Sequence, residues 1–201
     1  SSGLYPKQRN KRNLYSIMYS SMQKYVEVKV QETVATGTTT VDETGNLELQ
    51  DGSATFTGGV VNIGDVVHDT SDDRMYTVAG ILNANTLSLV AIGAAQGTGL
   101  DTAKNYIIYS ATSYSKQLIA SDGVVIVENA SADPINSEVN IQYCGVNGIR
   151  VKITHAAVAA GSEAMRDGFQ DAVTASLIQP WPSVKYSWAL PSSLILDIAK
   201  A

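Results

Sequence analysis

The chain has 201 residues, 44% of them hydrophobic, and a net charge of −5, which is enough length for one large domain or two small ones around a buried core. A single cysteine, Cys144, excludes an internal disulfide framework and a zinc site built from the chain's own thiolates. No run of about 18 apolar residues is present to cross a bilayer as a helix, and the N-terminus lacks the apolar core of a secretory signal, so a soluble chain is expected.

Ten Tyr against two Phe, among many Thr, Ser, Val and Gly, favour strands over helical bundles. The expected fold is mainly β, an antiparallel sandwich or barrel-like sheet with one amphipathic helix near the C-terminus and a short N-terminal helical arm; α+β is the fallback. Charge is segregated. Residues 1–24 carry Lys7, Arg9, Lys11, Arg12 and Lys24 and no acid, which leaves 9 bases against 19 acids, or −10, for the rest. Five bases without an interleaved aromatic-basic groove are too thin a footprint for direct nucleic-acid binding. A solvated tail, or an arm lying on an acidic neighbour, suits them better.

In chain order, LYSIMYSSM places Leu14, Ile17, Met18 and Ser21 at i, i+3, i+4 and i+7, one face of a short helical docking arm that also carries Tyr15 and Tyr19. KYVEVKVQETV then alternates, with Val26, Val28 and Val30 opposite Tyr25, Glu27, Lys29 and Gln31, as in a half-buried strand. ATGTTTVDETGN reads as an exposed loop or ragged hairpin. From 47 to 110 the runs LELQ, SATFTG, GDVVHD, MYTVAGIL, TLSLV and NYIIYS are separated by turn residues, which predicts six short strands in a small barrel-like lobe or insertion. IGAAQGTGL lacks the Lys-Ser/Thr pair of a phosphate-binding loop and reads as a flexible connection.

GVVIVENA, SEVNIQYC and GIRVKITH are read as further antiparallel strands, the last two joined by a turn at VNG. A helix over about 162–178 follows, with Ser162 as N-cap, Glu163 in its first turn and Pro180 after its end. Met165, Phe169, Ala172, Val173 and Leu177 form its apolar stripe. Val184, Tyr186 and Trp188 alternate with Lys185 and Ser187 as in one more strand; Trp181 and Trp188 are core plugs or subunit-contact anchors. The resulting organisation is a basic arm (1–24), a β-rich domain from 25–46 and 111–201, and the lobe at 47–110.

Chemistry concentrates in NIGDVVHDTSDDRMYTV, where His68 stands among Asp65, Asp69, Asp72 and Asp73. Numbered from Asp69, an EF-hand loop would need Gly where Arg74 stands and Glu where Gly80 stands, so that motif is absent. Asp69, Asp72 and Asp73 remain weak candidates for a surface cation, and no Cys or second His lies near His68 to complete a zinc site. The simpler reading is a turn between strands in which Asp69, Thr70 and Asp72 bond to backbone. Cys144 follows Tyr143 in an apolar strand and reads as a small hydrophobe, and His155 as a local hydrogen-bonding group. There is no GxSxG elbow, and a pair of glycosidase-type carboxylates is not a pattern sequence can display.

The order Phe56, Gly59-Val60, Gly64-Asp65-Val66-Val67, a polar turn, Tyr76-Thr77-Val78, Ile81, an Asn-rich turn, Leu87-Ser88-Leu89, Gly99 and Asn105-Tyr106-Ile107-Ile108-Tyr109 resembles a pattern in virion structural proteins of tailed bacteriophages, especially those of marine and cyanobacterial hosts. The Ala- and Asp-bearing helix followed by a Trp-bearing tail is similar to the ends of such proteins. These motifs are turn grammar, so no functional residue carries over. The resemblance implies a virion location and a structural role, as a capsid decoration protein or a neck or tail component. It implies partners that are other copies of the chain and neighbours such as the major capsid protein or tail and neck subunits. On that reading the protein is not an enzyme and needs no cofactor. Lys7, Arg9, Lys11, Arg12, Tyr15, Tyr19, Trp181 and Trp188 would make subunit contacts. Two rivals stand beside it: a secreted β-sandwich carbohydrate-binding module using Trp181, Trp188 and surface Tyr as stacking platforms, and a hydrolase with carboxylates still to be paired.

Overall fold

Alternation in KYVEVKV builds the strand on which the rest of the molecule is arranged. A computed structural model describes residues 23–43, 45–93, 98–130, 133, 135–145, 148–180 and 182–201; the expected helical arm at 14–22 lies outside them. The first strand, β1 (Tyr25–Thr38), buries Val26, Val28 and Val30 on one face. The elements that follow are β2 (Glu48–Gln50), β3 (Val66–Asp69), β4 (Arg74–Asn83), β5 (Thr86–Ala91), β6 (Asn105–Ala120), β7 (Val124–Asn129), β8 (Glu138–Tyr143), β9 (Arg150–His155), helix α1 (Ala164–Leu177), β10 (Lys185–Ser187) and β11 (Ile195–Lys200). The strands form one sheet in the order β2-β5-β4-β3-β6-β1-β11-β9-β8-β7, with β10 paired to β1 beside that path.

The sheet is mainly antiparallel, but β1 takes β10 and β11 as parallel partners along one edge while β6 lies antiparallel along the other. Two long strands, β1 and β6, therefore carry the sheet from one core to the next. At one end it curls over Leu49, Phe56, Val67, Tyr76, Leu87 and Ile108. At the other, α1 closes Val26, Val28, Val30, Ile141 and Ile153 with Met165, Phe169 and Trp188. A third cluster around Met75, Tyr109, Ile135 and Leu196 joins them.

The transition between the cores is a bulge. From Gln31 to Thr33 β1 advances by two residues while its partners on β6 pass from Tyr114 to Tyr109, so Ser110–Ser113 are looped out. Their backbone groups are satisfied locally, as buried amides must be: Ser110 Oγ accepts from the amides of Thr112 and Ser113, and Asp65 Oδ1 accepts from that of Ala111 at 2.9 Å. With its amide nitrogen turned to the bulge, buried Gln31 donates to the carbonyls of Ser110 (2.8 Å) and Ser113 (3.1 Å).

Several expectations need correction. SATFTG forms no strand: Phe56 alone is inserted into the core, and Gly58 and Gly59 at φ +78° and +82° turn the chain away from the sheet. Residues 35–38, expected in a loop, continue β1 because β6 pairs them through to Asn105. Gly37 is required in that stretch, since a Cβ there would stand 2.4 Å from Asp51 Oδ2 and 2.5 Å from the Tyr106 hydroxyl. LILDIA was not assigned and is β11, inserted between β1 and β9. Helix α1 begins after Glu163, whose side chain makes no cap bond; Asp167 is the acid of its first turn. Leu177 is 46% exposed and Ser176 takes the buried position, its hydroxyl bonded to the Val173 carbonyl and Ser121 Oγ. Cys144 lies just past β8 and is exposed, so it is not a core hydrophobe.

Candidate assembly surface

The acid-rich stretch is a structural joint. Gly64 adopts φ +96°, which an L side chain would strain, and brings Asp65 under the sheet, where it is 1% exposed and accepts from the amides of Asn62 (2.8 Å) and Ala111. Asp69 is equally buried and accepts from the amides of Ser71 and Asp72, folding the β3–β4 turn; burial pushes its pKa up in spite of those bonds. Asp72 meets Lys104 at 2.9 Å, and Asp73, at φ +51°, meets His68 Nε2 at 3.1 Å. Thr70 donates to the Asn105 carbonyl. The candidate cation ligands Asp69, Asp72 and Asp73 thus point to three different partners, and among the described residues no group of three or more His, Cys, Asp or Glu side chains could hold a metal ion.

Beneath the curl, Asp51 Oδ2 accepts from the Tyr106 hydroxyl at 2.7 Å. Burial opposes its charge, but bonds from Ser53 and Tyr106 outweigh it and lower its pKa; burial and the neighbouring carboxylate raise that of Tyr106.

A second polar group lies on the face of β1 opposite α1. Glu27, 7% exposed, receives Lys185 Nζ at 2.6 Å and Lys116 Nζ at 3.1 Å, with the Ser187 hydroxyl at 3.3 Å. Hydrogen bonds from Lys185 and then Lys116 hold its carboxyl down at about 2. On the same face Lys29 Nζ lies 4.5 Å from the centroid of the Tyr114 ring. Periodicity placed Glu27 and Lys29 on this polar face, but the partners arrive from 89 and 158 residues away, a distance no local pattern spans.

The apolar surface gathers elsewhere. Among the described residues, strand β7 closes one end of the sheet and pairs only with β8. A register shift falls between Val124 and Ile126, and Val125 and Ile126 are 62% and 44% exposed. A groove separates this strand from α1, lined by Val124, Val127, Gln170, Val173 and Thr174. Leu177 and Ile178 at the end of the helix are exposed as well, and so is Leu190 on its other flank beside Asp171 and Ala175.

Lys24, just ahead of β1, is tied to the residues that precede β7. Lys24 donates its amide to Asp122 Oδ2 (2.6 Å), its carbonyl accepts from Ser121, and Nζ caps the carbonyls of Gln179, Pro180 and Ser183 after the helix. The remaining contact candidates, Lys7, Arg9, Lys11, Arg12, Tyr15, Tyr19 and Trp181, lie outside the described residues. Trp188 is described and is a core plug: it is 8% exposed and meets Phe169 edge-on at 5.6 Å between ring centroids, which removes it as a sugar-stacking platform.

No protein family matches the chain, and no curated protein does. Among solved structures it is similar to an endosialidase of phage phi92, with 14% identity and a TM-score of 0.24 over 69% of this chain and 24% of that one. The chain therefore spans about a quarter of that protein's length. At that TM-score the overlap supplies no argument about fold or activity.

Proposed function

We propose that the chain is a non-catalytic structural subunit of a tailed-phage particle, on the capsid surface as a decoration protein or in the neck or tail. It assembles with further copies of itself through sheet surfaces and the basic N-terminal arm. The observation that carries the assembly reading is the open end of the sheet: β7 presents Val125 and Ile126 to solvent on a strand with one edge unpaired among the described residues. Soluble monomers blunt such edges with charge or cover them. The residues of β7 are Val-Val-Ile-Val-Glu-Asn, with no Lys and no Pro. A second copy is the occupant that the composition suits, and Lys24, bonded to Asp122 two residues before β7, lies close to the start of the same strand. The particle reading draws on the resemblance between Phe56 and Tyr109. Those residues hold the curled core and the Gly64–Asp65 joint together.

The test is a copy number. In particles purified from the phage that encodes the chain, quantitative mass spectrometry is expected to find it in a fixed ratio to the major capsid protein. Its absence from washed particles overturns the particle reading.

A further inference from the structure

We propose that the bare face of β1, β6 and β10 binds the outer face of α1 on a second copy, in a head-to-tail contact. This rests on the assembly reading above and names the surfaces that one contact uses. Alternation along β1 sends Val26, Val28 and Val30 to the helix and Tyr25, Glu27, Lys29 and Gln31 to the opposite face. The register sets Leu118 opposite Glu27, Lys116 opposite Lys29 and Tyr114 opposite Gln31, while β10 sets Lys185 opposite Tyr25. Among the described residues the face remains open: Leu118 and Tyr114 are 55% and 40% exposed, and the Lys116 and Lys185 side chains 56% and 55%.

Charge chooses the occupant. Lys29, Lys116 and Lys185 against Glu27 give this face +2, although the chain after residue 24 carries −10. The other side of the same layer has the opposite sign: Glu163, Asp167 and Asp171 against Arg166 give α1 and its cap −2. Arg166 is already engaged, bidentate to Glu163 and bonded to Asp167. The apolar parts correspond too, with Leu118 and Tyr114 on the basic face, Leu177 and Ile178 at the end of the helix and Leu190 along its side near Asp171 and Ala175. A two-fold contact would bring like faces together. Opposite faces on opposite sides favour a heterologous contact, which closes into a ring or continues as a filament.

The full chain is followed by sedimentation velocity at about 50 mM and about 500 mM salt, where screening differs several-fold. The variants are Lys29→Glu, which leaves both lysine partners of Glu27 in place, Asp171→Lys, and the double variant; circular dichroism checks each fold. Each single reversal is expected to weaken self-association at least about tenfold, with most of it recovered in the double variant. Added salt is expected to weaken the wild type. If Lys29→Glu fails to fold, Lys29→Ala moves association the same way by less. Single variants with wild-type mass, or wild-type association indifferent to salt, overturn this contact and leave the assembly reading standing. A wild type that is monomeric at every concentration overturns both.

Discussion

His155 ends β9 with none of its side chain in contact with solvent. Its Nδ1 lies 3.0 Å from the Ala156 carbonyl, so that nitrogen carries the proton and donates. Nε2 is then a bare acceptor with no partner among the described residues. Burial lowers its pKa below 6.5. The unfolded chain therefore takes up the proton first as pH falls. The stability tied to this group is complete above pH 6.5 and is lost from 6.5 down toward the folded value, at up to about 1.4 kcal/mol per pH unit. Asp69, raised by burial, contributes with the opposite sign. Urea midpoints at several pH values between 7 and 5, for the wild type and His155→Leu, separate the two. The wild type is expected to lose stability across that window more steeply than the variant, and parallel curves would contradict the assignment. The sequence offered His155 only as a local hydrogen-bonding group. Its place beside Ile195 of β11 and its backbone bond to the Ser137 carbonyl are tertiary facts.

At the scale of elements, α1 shows how far periodicity reaches. Met165, Phe169, Ala172 and Val173 were legible as a stripe and are buried, because the 3.6-residue repeat fixes which side chains share a face. Leu177 falls at the margin of that stripe and is exposed, while Ser176, at its centre, is buried against Ser121. Truncations distinguish the two ends. Phe169→Ala, which also removes the ring contact with Trp188, is expected to cost about 3–5 kcal/mol in chemical denaturation. Leu177→Ala is expected to stay within about 0.5 kcal/mol; equal losses would mean that the helix is seated differently. Strands with clean alternation were legible in the same way, as at β1 and β9. The extension of β6 across Ser110–Ser113 was not, because a bulge is held by Gln31 and Asp65 from other elements. β11, whose neighbours lie far away in sequence, was not assigned either. The acid-rich turn was legible as a turn because Asp side chains bond to backbone nearby, while the depth of Asp65 and Asp69 under the sheet was not.

For the whole molecule, segregation of charge was visible in composition only as a basic arm and an acidic body. The sheet divides that body again, into a basic bare face and an acidic helix on its far side. An open apolar edge at β7 completes a surface better suited to neighbours than to water. On the proposed assembly reading, such a chain would gain stability from association. The measurement that bears most directly on this is the mass of the full chain by sedimentation equilibrium over a range of concentrations. The account predicts association with rising concentration to multiples of 21.3 kDa. A single species of 21.3 kDa up to about 1 mM would contradict it.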